Sequence, residues 1–404
     1  MSALPVDTKA AERLKMMKRI LLFFKRETVL CVSLILALVS MFLVPPDINY
    51  WGYIDFRTLG ILFSLMSVMA GLQKAGVFGQ IAGKLLGHVR SGRGLILTLV
   101  LLCFFSGMII TNDVALITFV PFSFIVLDML GDSQRDKLAL PVVVMQTIAA
   151  NLGSMLTPVG NPQNLYLYGR AGLSVGGFVL LMLPYTLLSL ALLVAWSLIQ
   201  GRACPQISGA GENGLQDGLI HEKGPVYRIA AYLALFLACL LAVAHILPWQ
   251  VAVGAVVIVV LAMDREVFAK VDYSLLLTFA FFFVFVGNVG RIPVFREFLQ
   301  NMIAGREIST AILASQIISN VPAALLLSGF TENVPGLIVG TNLGGLGTLI
   351  ASMASLISYK YVAKEISSGK GRYIILFTVG NIVFLAALVV MNILLGGQAG
   401  STNG

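Results

Sequence analysis

Apolar runs long enough to cross a lipid bilayer recur along the whole chain, and this sets the solvent in which it folds. A spanning helix needs roughly 20 apolar residues. Candidate spans cover residues 27–44, 57–76, 138–170, 175–199, 227–246, 249–263, 273–290, 335–359 and 373–396. Only 11% of the residues are charged, against about 25% in soluble domains. The expected fold class is an all-α polytopic membrane protein. The runs are too long and too uniformly apolar for the alternating strands of a β-barrel. The 40 glycines suit close approach of membrane helices.

Some of these runs are broken by polar residues. Thr111, Asn112 and Asp113 interrupt residues 94–130, and Ser319 and Asn320 interrupt residues 308–331, so each segment is expected to hold two short apolar halves around a polar break. Two spans are interrupted as well, 138–170 at Gly160-Asn161-Pro162 and 335–359 at Thr341-Asn342-Leu343-Gly344-Gly345. Backbone groups freed in lipid cost several kcal/mol each unless something satisfies them. Broken segments therefore belong inside protein or against a cavity.

The charges choose between crossing and turning back. If 94–130 and 308–331 are re-entrant hairpins, all but Arg57, Arg170, Arg291, Arg296 and Arg306 of the 27 Lys and Arg residues fall on one side. Such an asymmetry marks the cytoplasmic face. It predicts a cell-membrane protein with its N-terminus cytoplasmic and its C-terminus outside. The net charge of +8 is thereby explained without a nucleic-acid partner. Residues 1–26 are too charged and too long for a cleaved signal peptide and read as a cytoplasmic extension. Residues 200–226 read as a cytoplasmic linker, and 397–404 as a tail. The GAGENG within the linker lacks the strand and helix that a dinucleotide site needs.

An internal repeat divides the chain. IITNDVAL (109–116) aligns with IISNVPAA (317–324), and NLGSMLTPVGNPQNLYLY (151–168) with NLGGLGTLIASMASLISY (342–359). Asp55 and Asp272 head matching spans, where a carboxylate suits a helix N-terminus. Repeat 1 covers 27–199 and repeat 2 covers 247–396. The linking span 227–246 has no partner, so repeat 2 is inserted upside down. Inverted-topology repeats with discontinuous helices mark secondary transporters, whose sites lie near the bilayer midplane.

The break residues suit this chemistry. Thr, Ser, Asn and Asp are good N-caps, and Pro suits a first helical turn. Half-helix N-termini favour anions, while freed carbonyls with Asn, Ser and Thr oxygens suit a hard cation such as Na⁺. Asp113 is the only acid deep in an apolar segment, and an intramembrane ionisable group is a functional-site candidate. Lys74, near a helix end, is expected to snorkel. The four cysteines and three histidines form no metal or disulfide pattern. HExxH and P-loop motifs are absent and the few histidines lie outside the apolar core, so the chain does not read as an enzyme.

TNDVALITFVPF (111–122), SNVPAALLLSGF (319–330) and TPVGNPQNL (157–165) carry a resemblance over about residues 27–396. They resemble motifs of the ion transporter superfamily that groups arsenite/antimonite permeases, NhaD-type sodium/proton antiporters, citrate transporters and divalent anion–sodium symporters. The resemblance implies elevator-type alternating access, with substrate and ions held at Thr111, Asn112, Asp113, Gly160, Asn161, Asn164, Ser319, Asn320, Thr341 and Asn342. Na⁺ is expected at Asn112, Asp113 and Asn320. Thr-Asn-Asp replaces the Ser-Asn-Thr of the dicarboxylate symporters, and the second broken span lacks the Gly-x-Pro-x-Asn element. The implied function is a secondary transporter of a small anion or oxyanion coupled to Na⁺ or H⁺, without a cofactor. Na⁺/H⁺ antiport, arsenite/antimonite efflux and a channel are the alternatives. Membrane lipid is the expected surrounding partner, and a homodimer is the assembly that some relatives imply.

Overall fold

The computed structural model describes residues 27–86, 89, 91–203, 225–366 and 369–401. The proposed N-terminal extension and most of the linker lie outside the described residues. Among those described the chain is helical, with no strand. The first repeat contains α1 (Thr28–Leu43), α2 (Tyr50–Tyr53), α3 (Phe56–Lys74), α4 (Val77–Leu86), α5 (Gly92–Ile110), α6 (Asn112–Asp128), α7 (Asp132–Ser154), α8 (Pro162–Ala171) and α9 (Val175–Gln200). Next come α10 (Val226–Val243) and α11 (Trp249–Asp264). The second repeat continues with α12 (Tyr273–Gly290), α13 (Pro293–Ile303), α14 (Glu307–Ile318), α15 (Asn320–Leu327), α16 (Val334–Gly344), α17 (Met353–Glu365) and α18 (Lys370–Ser401).

Six of these helices are long and apolar enough to cross a membrane: α3, α5, α9, α10, α12 and residues 370–396 of α18. Each predicted span is matched by a helix or by a helix–break–helix pair. The two broken segments differ in size. α14 and α15 have 12 and 8 residues, short arms as expected. α5 and α6 have 19 and 17. At 1.5 Å per residue, α5 extends about 28 Å, nearly the thickness of a bilayer core. The short halves expected in 94–130 are therefore long.

Two compact units divide the chain. Met1–Asp55 with Asp272–Glu297 form the first, and Phe56–Val271 with Phe298–Gly404 the second. Each unit draws on both repeats. In the first, α1 packs along α12. Asn288 is buried and donates to Ser40 Oγ at 3.0 Å and to Tyr50 Oη at 2.8 Å. At its surface Arg291 pairs with Asp47 at 2.8 Å.

The second unit is organised around α7. Its residues from Leu138 to Ser154 are buried except Pro141. α5, α6, α9, α17 and α18 all pack on it. The crossing with α5 is close: a Cβ at Gly153 would overlap the Phe104 carbonyl. Polar contacts tie the helix ends. Lys74 pairs with Asp264 at 2.8 Å and Glu266 at 2.9 Å. It is anchored by carboxylates rather than reaching freely along apolar surface. Arg135 pairs with Asp128 at 2.8 Å and lies 3.7 Å from Glu365. Arg57 donates to the carbonyls of Ala242 and Val243 at the end of α10, where a cation suits the helix C-terminus. Its guanidinium also lies 3.1 Å from His245 Nε2.

Candidate functional site

The two polar tips have nearly the same backbone. Thr111, between α5 and α6, has φ 72° and ψ 149°. Ser319, between α14 and α15, has φ 74° and ψ 155°. This region is open almost only to glycine, and a residue held there stores about 1–3 kcal/mol. The strain turns the next N–H across the unit instead of into its own helix. The Asn112 N–H donates to the Gly160 carbonyl at 3.2 Å, and the Asn320 N–H to the Ala351 carbonyl at 3.0 Å. Gly160 and Ala351 occupy the same position in the aligned repeats. The pairing extends one turn back: Thr157 Oγ1 donates to the Met108 carbonyl and Thr348 Oγ1 to that of Gln316. These four residues are again repeat equivalents.

The tips do not use side-chain caps. Neither Thr111 nor Ser319 makes one, and neither does Asn161 ahead of α8. The capping expected at these three breaks is therefore corrected. Asn161 is extended, with Pro162 fixing the first turn after it, and its amide donates to Ser154 Oγ at 2.6 Å. Asn112 Oδ1 accepts from the Asp113 N–H at 2.9 Å, and the rest of its amide goes across the unit.

That amide meets Asn151, which the sequence reading aligned with Asn342 but did not place in the site. Asn112 Nδ2 donates to Asn151 Oδ1 at 2.9 Å, and Ser352 Oγ donates to the same oxygen at 3.0 Å. Asn151 Nδ2 donates to Ser355 Oγ at 3.3 Å. The mirror contact lies in the other half: Asn342 Nδ2 donates to Asn164 Oδ1 at 2.7 Å. Asn151 is the equivalent of Asn342, and Ser355 that of Asn164. Each helix before a break thus grips the half-helix after the break in the opposite repeat. The two grips are joined because Ser154 Oγ donates to the Asn151 carbonyl, while Asn164 Nδ2 donates to the carbonyls of Ser154 and Thr157.

One buried amide–hydroxyl network therefore links Asn112, Asn161, Asn164 and Asn342 within the second unit. Asn320 is joined to it by the backbone bond to Ala351, next to Ser352. Asn112, Asn151, Asn161, Asn164, Asn320 and Asn342 are all buried. Gly160 has no room for a side chain, because a Cβ there would overlap the Ser154 carbonyl. The break expected at Thr341–Gly345 is corrected: α16 continues to Gly344, and the irregular stretch follows it. Thr341 is buried and donates within that helix, to the Leu337 carbonyl at 2.7 Å. Asp113 stands half-buried in the first turn of α6, the end of a helix that suits a carboxylate. Gln163, one residue from Asn164, is fully buried, and neither its amide nitrogen nor its oxygen finds a partner among the described residues. Among those residues no cluster of three or more His, Cys, Asp or Glu side chains is placed to hold a metal ion.

Comparison with known proteins adds a family. A family model described as citrate transporter matches residues 16–335. The chain is 31% identical over 325 residues to an inner membrane protein, YbiR, of Escherichia coli, covering 79% of this chain and 83% of that one. It is 28% identical over 362 residues to an uncharacterised transporter of Methanocaldococcus jannaschii, covering 89% and 94%. A silicon efflux transporter of rice, LSI3, is 30% identical over 169 residues, covering 40% of this chain and 34% of that one.

Proposed function

This chain belongs to the citrate transporter family and is a multi-pass membrane transporter, and from that premise we propose that it is a secondary transporter of a small anion or oxyanion. Na⁺ or H⁺ drives it, and it works by elevator-type alternating access. The observation that carries this reading is the paired geometry of the breaks. Two strained tips, each followed by an Asn whose N–H crosses to an equivalent carbonyl, meet in one buried network. Unrelated segments would have no reason to repeat a costly backbone conformation and the same cross-contact. The repetition supports two inverted repeats, each with a re-entrant hairpin and a broken span. Family transporters of this design hold their cargo where irregular backbone is buried in protein.

The loop contacts support the expected topology. Lys74 and Asp264, Arg135 and Glu365, and Arg57 and His245 each join segments that the charge pattern places on one face. The division into two compact units, each drawing on both repeats, is consistent with an elevator reading. In this reading Thr111, Asn112, Asp113, Gly160, Asn161, Asn164, Ser319, Asn320, Thr341 and Asn342 surround the cargo. Asn151, Ser352 and Ser355 position them, and Na⁺ sits near Asn112, Asp113 and Asn320.

A second reading has its own observation. The network consists of amides and hydroxyls, with no Lys, Arg or His among its members. Such a lining matches an uncharged oxyacid rich in hydroxyl groups, a cargo class consistent with the silicon efflux named for the rice relative. The discriminating experiment uses proteoliposomes with a trapped pH dye. Na⁺ is added alone, then with a panel of small carboxylates, inorganic oxyanions and undissociated oxyacids, with tracer flux in parallel. The leading reading expects movement that depends on one anion and on Na⁺ or H⁺, lost in Asn112→Ala and in Asn320→Ala while both variants stay folded. Full transport in both variants refutes the hairpin site. Proton movement with Na⁺ alone identifies an antiporter instead. Flux of an undissociated oxyacid selects the second reading.

A further inference from the structure

α7 and α18 run side by side in the second unit, and their N-terminal ends frame a groove of about 380 Å³. Lys137 and Arg372 stand at its rim, and Leu140, Ile375 and Val379 form its wall. Both cations are exposed and neither has a carboxylate partner among the described residues. Their placement runs against the local field. Arg372 lies in the first turn of α18, which holds no acidic residue, and Lys137 lies in the second turn of α7. The positive ends of helices favour anions, so Arg372 raises an already positive potential on α18, while on α7 Asp132 in the first turn lowers it. Asp136 on the same rim offsets one of the two cations. One positive charge is left over at the rim, which makes it a site for an anion.

The wall says what kind of anion. Ile375 is 67% exposed and Val379 55% exposed, and both continue along the outer face of a helix apolar enough to span the membrane. A free phosphate would meet the rim and leave this apolar track unused. A phospholipid would use both, placing its phosphate between Lys137 and Arg372 and an acyl chain along Ile375 and Val379. The segments bearing the two cations are also those that the charge pattern assigns to the cytoplasmic face, where basic pockets between spanning helices hold anionic headgroups. The volume is in the range of pockets that hold small-molecule headgroups. We propose that this groove is a specific site for an anionic glycerophospholipid, separate from the transport network.

The test is native mass spectrometry of the purified full chain titrated with phosphatidylglycerol or phosphatidylcholine of the same acyl length. Each cation near a membrane surface contributes about 1 kcal/mol toward an anionic lipid, so with one of the pair offset by Asp136 the wild type should prefer phosphatidylglycerol about 5-fold, and Asp136→Asn about 30-fold. Lys137→Gln with Arg372→Gln should abolish that preference and leave phosphatidylcholine adducts unchanged. Asp136→Asn should strengthen it. Both substitutions alter exposed side chains, and melting in neutral detergent checks that they fold. Equal binding of the two lipids by the wild type overturns the proposal, and so does an unchanged preference in the double variant. A dimer that persists without lipid and dissociates in Val379→Arg also overturns it, assigning the groove to a second copy of the chain.

Discussion

The contact between Asn342 and Asn164 permits a quantitative test of the crossed network. Their amides meet at 2.7 Å and both side chains are buried. Asn342→Ala removes this bond and the one to the Ile338 carbonyl, and it leaves Asn164 Oδ1 buried without its donor. Orphaning such an acceptor costs about 1–3 kcal/mol. Asn164→Ala removes the same bond and those to the carbonyls of Ser154 and Thr157, about 3 kcal/mol at a net value near 1 kcal/mol each. Only the shared bond contributes to both. The double variant should therefore be less destabilised than the sum, with a coupling near 1 kcal/mol. Measured couplings of hydrogen bonds in membrane proteins average about 0.6 and reach about 1.7 kcal/mol. Equilibrium unfolding of the four proteins in mixed micelles gives the cycle directly. A coupling within about 0.3 kcal/mol of zero, the scatter for independent sites, refutes the crossed arrangement.

Other consequences are simpler. Gly153→Ala forces a Cβ onto the Phe104 carbonyl, backbone that cannot swing aside, and should cost about 3 kcal/mol; gel filtration should show loss of monodisperse protein. Gly254→Ala, with open space around it, should remain monodisperse. Burial and the neighbouring Arg57 guanidinium hold the His245 imidazole below its ordinary value, so the folded state takes up a proton less readily than the unfolded chain. The resulting stability is complete above about pH 6.5 and is lost as pH falls through the folded value. Melting temperature should accordingly drop between pH 7 and pH 5, and drop less in His245→Asn, a residue that tolerates the φ of 61° found there. Asp113→Asn should change the pH or cation dependence of transport, measured as initial rates over a pH and Na⁺ series. An unchanged profile would reduce Asp113 to a helix-end carboxylate.

The helices were legible because lipid imposes a length and the breaks impose polar residues. Spans such as 175–199 and 273–290 are met by α9 and α12 within a residue or two. Three of the four breaks were legible for the same reason; the fourth falls at 345–352, because Thr341 and Asn342 bond to carbonyls of their own helix and α16 runs on to Gly344. What the break residues do was less so. Ser, Thr and Asn before a helix suggest caps, but the positive φ of Thr111 and Ser319 turns those groups away from their own helices, and no local pattern announces such a conformation in a non-glycine residue. Asn151 escaped notice because it sits inside a continuous helix, three residues before its end. The repeat carries the signal: Asn151 aligns with Asn342, and the same symmetry leads from Asn164 to Ser355. The lengths of α5 and α6 are not marked by the polar triplet, which fixes the break in 94–130 and leaves the far ends of its two arms unmarked.

The composition of the network has an electrical consequence. Every bond that knits the two breaks together runs between amides, hydroxyls and carbonyls, so the framework carries no formal charge through the membrane field. A charge crossing that field exchanges about 2.3 kcal/mol per 100 mV, and a neutral framework exchanges none. In a transporter built this way the network adds nothing to the transient charge that moves when the voltage is stepped, and that charge reports the cargo, its coupling ions and charged groups such as Asp113 that move with them.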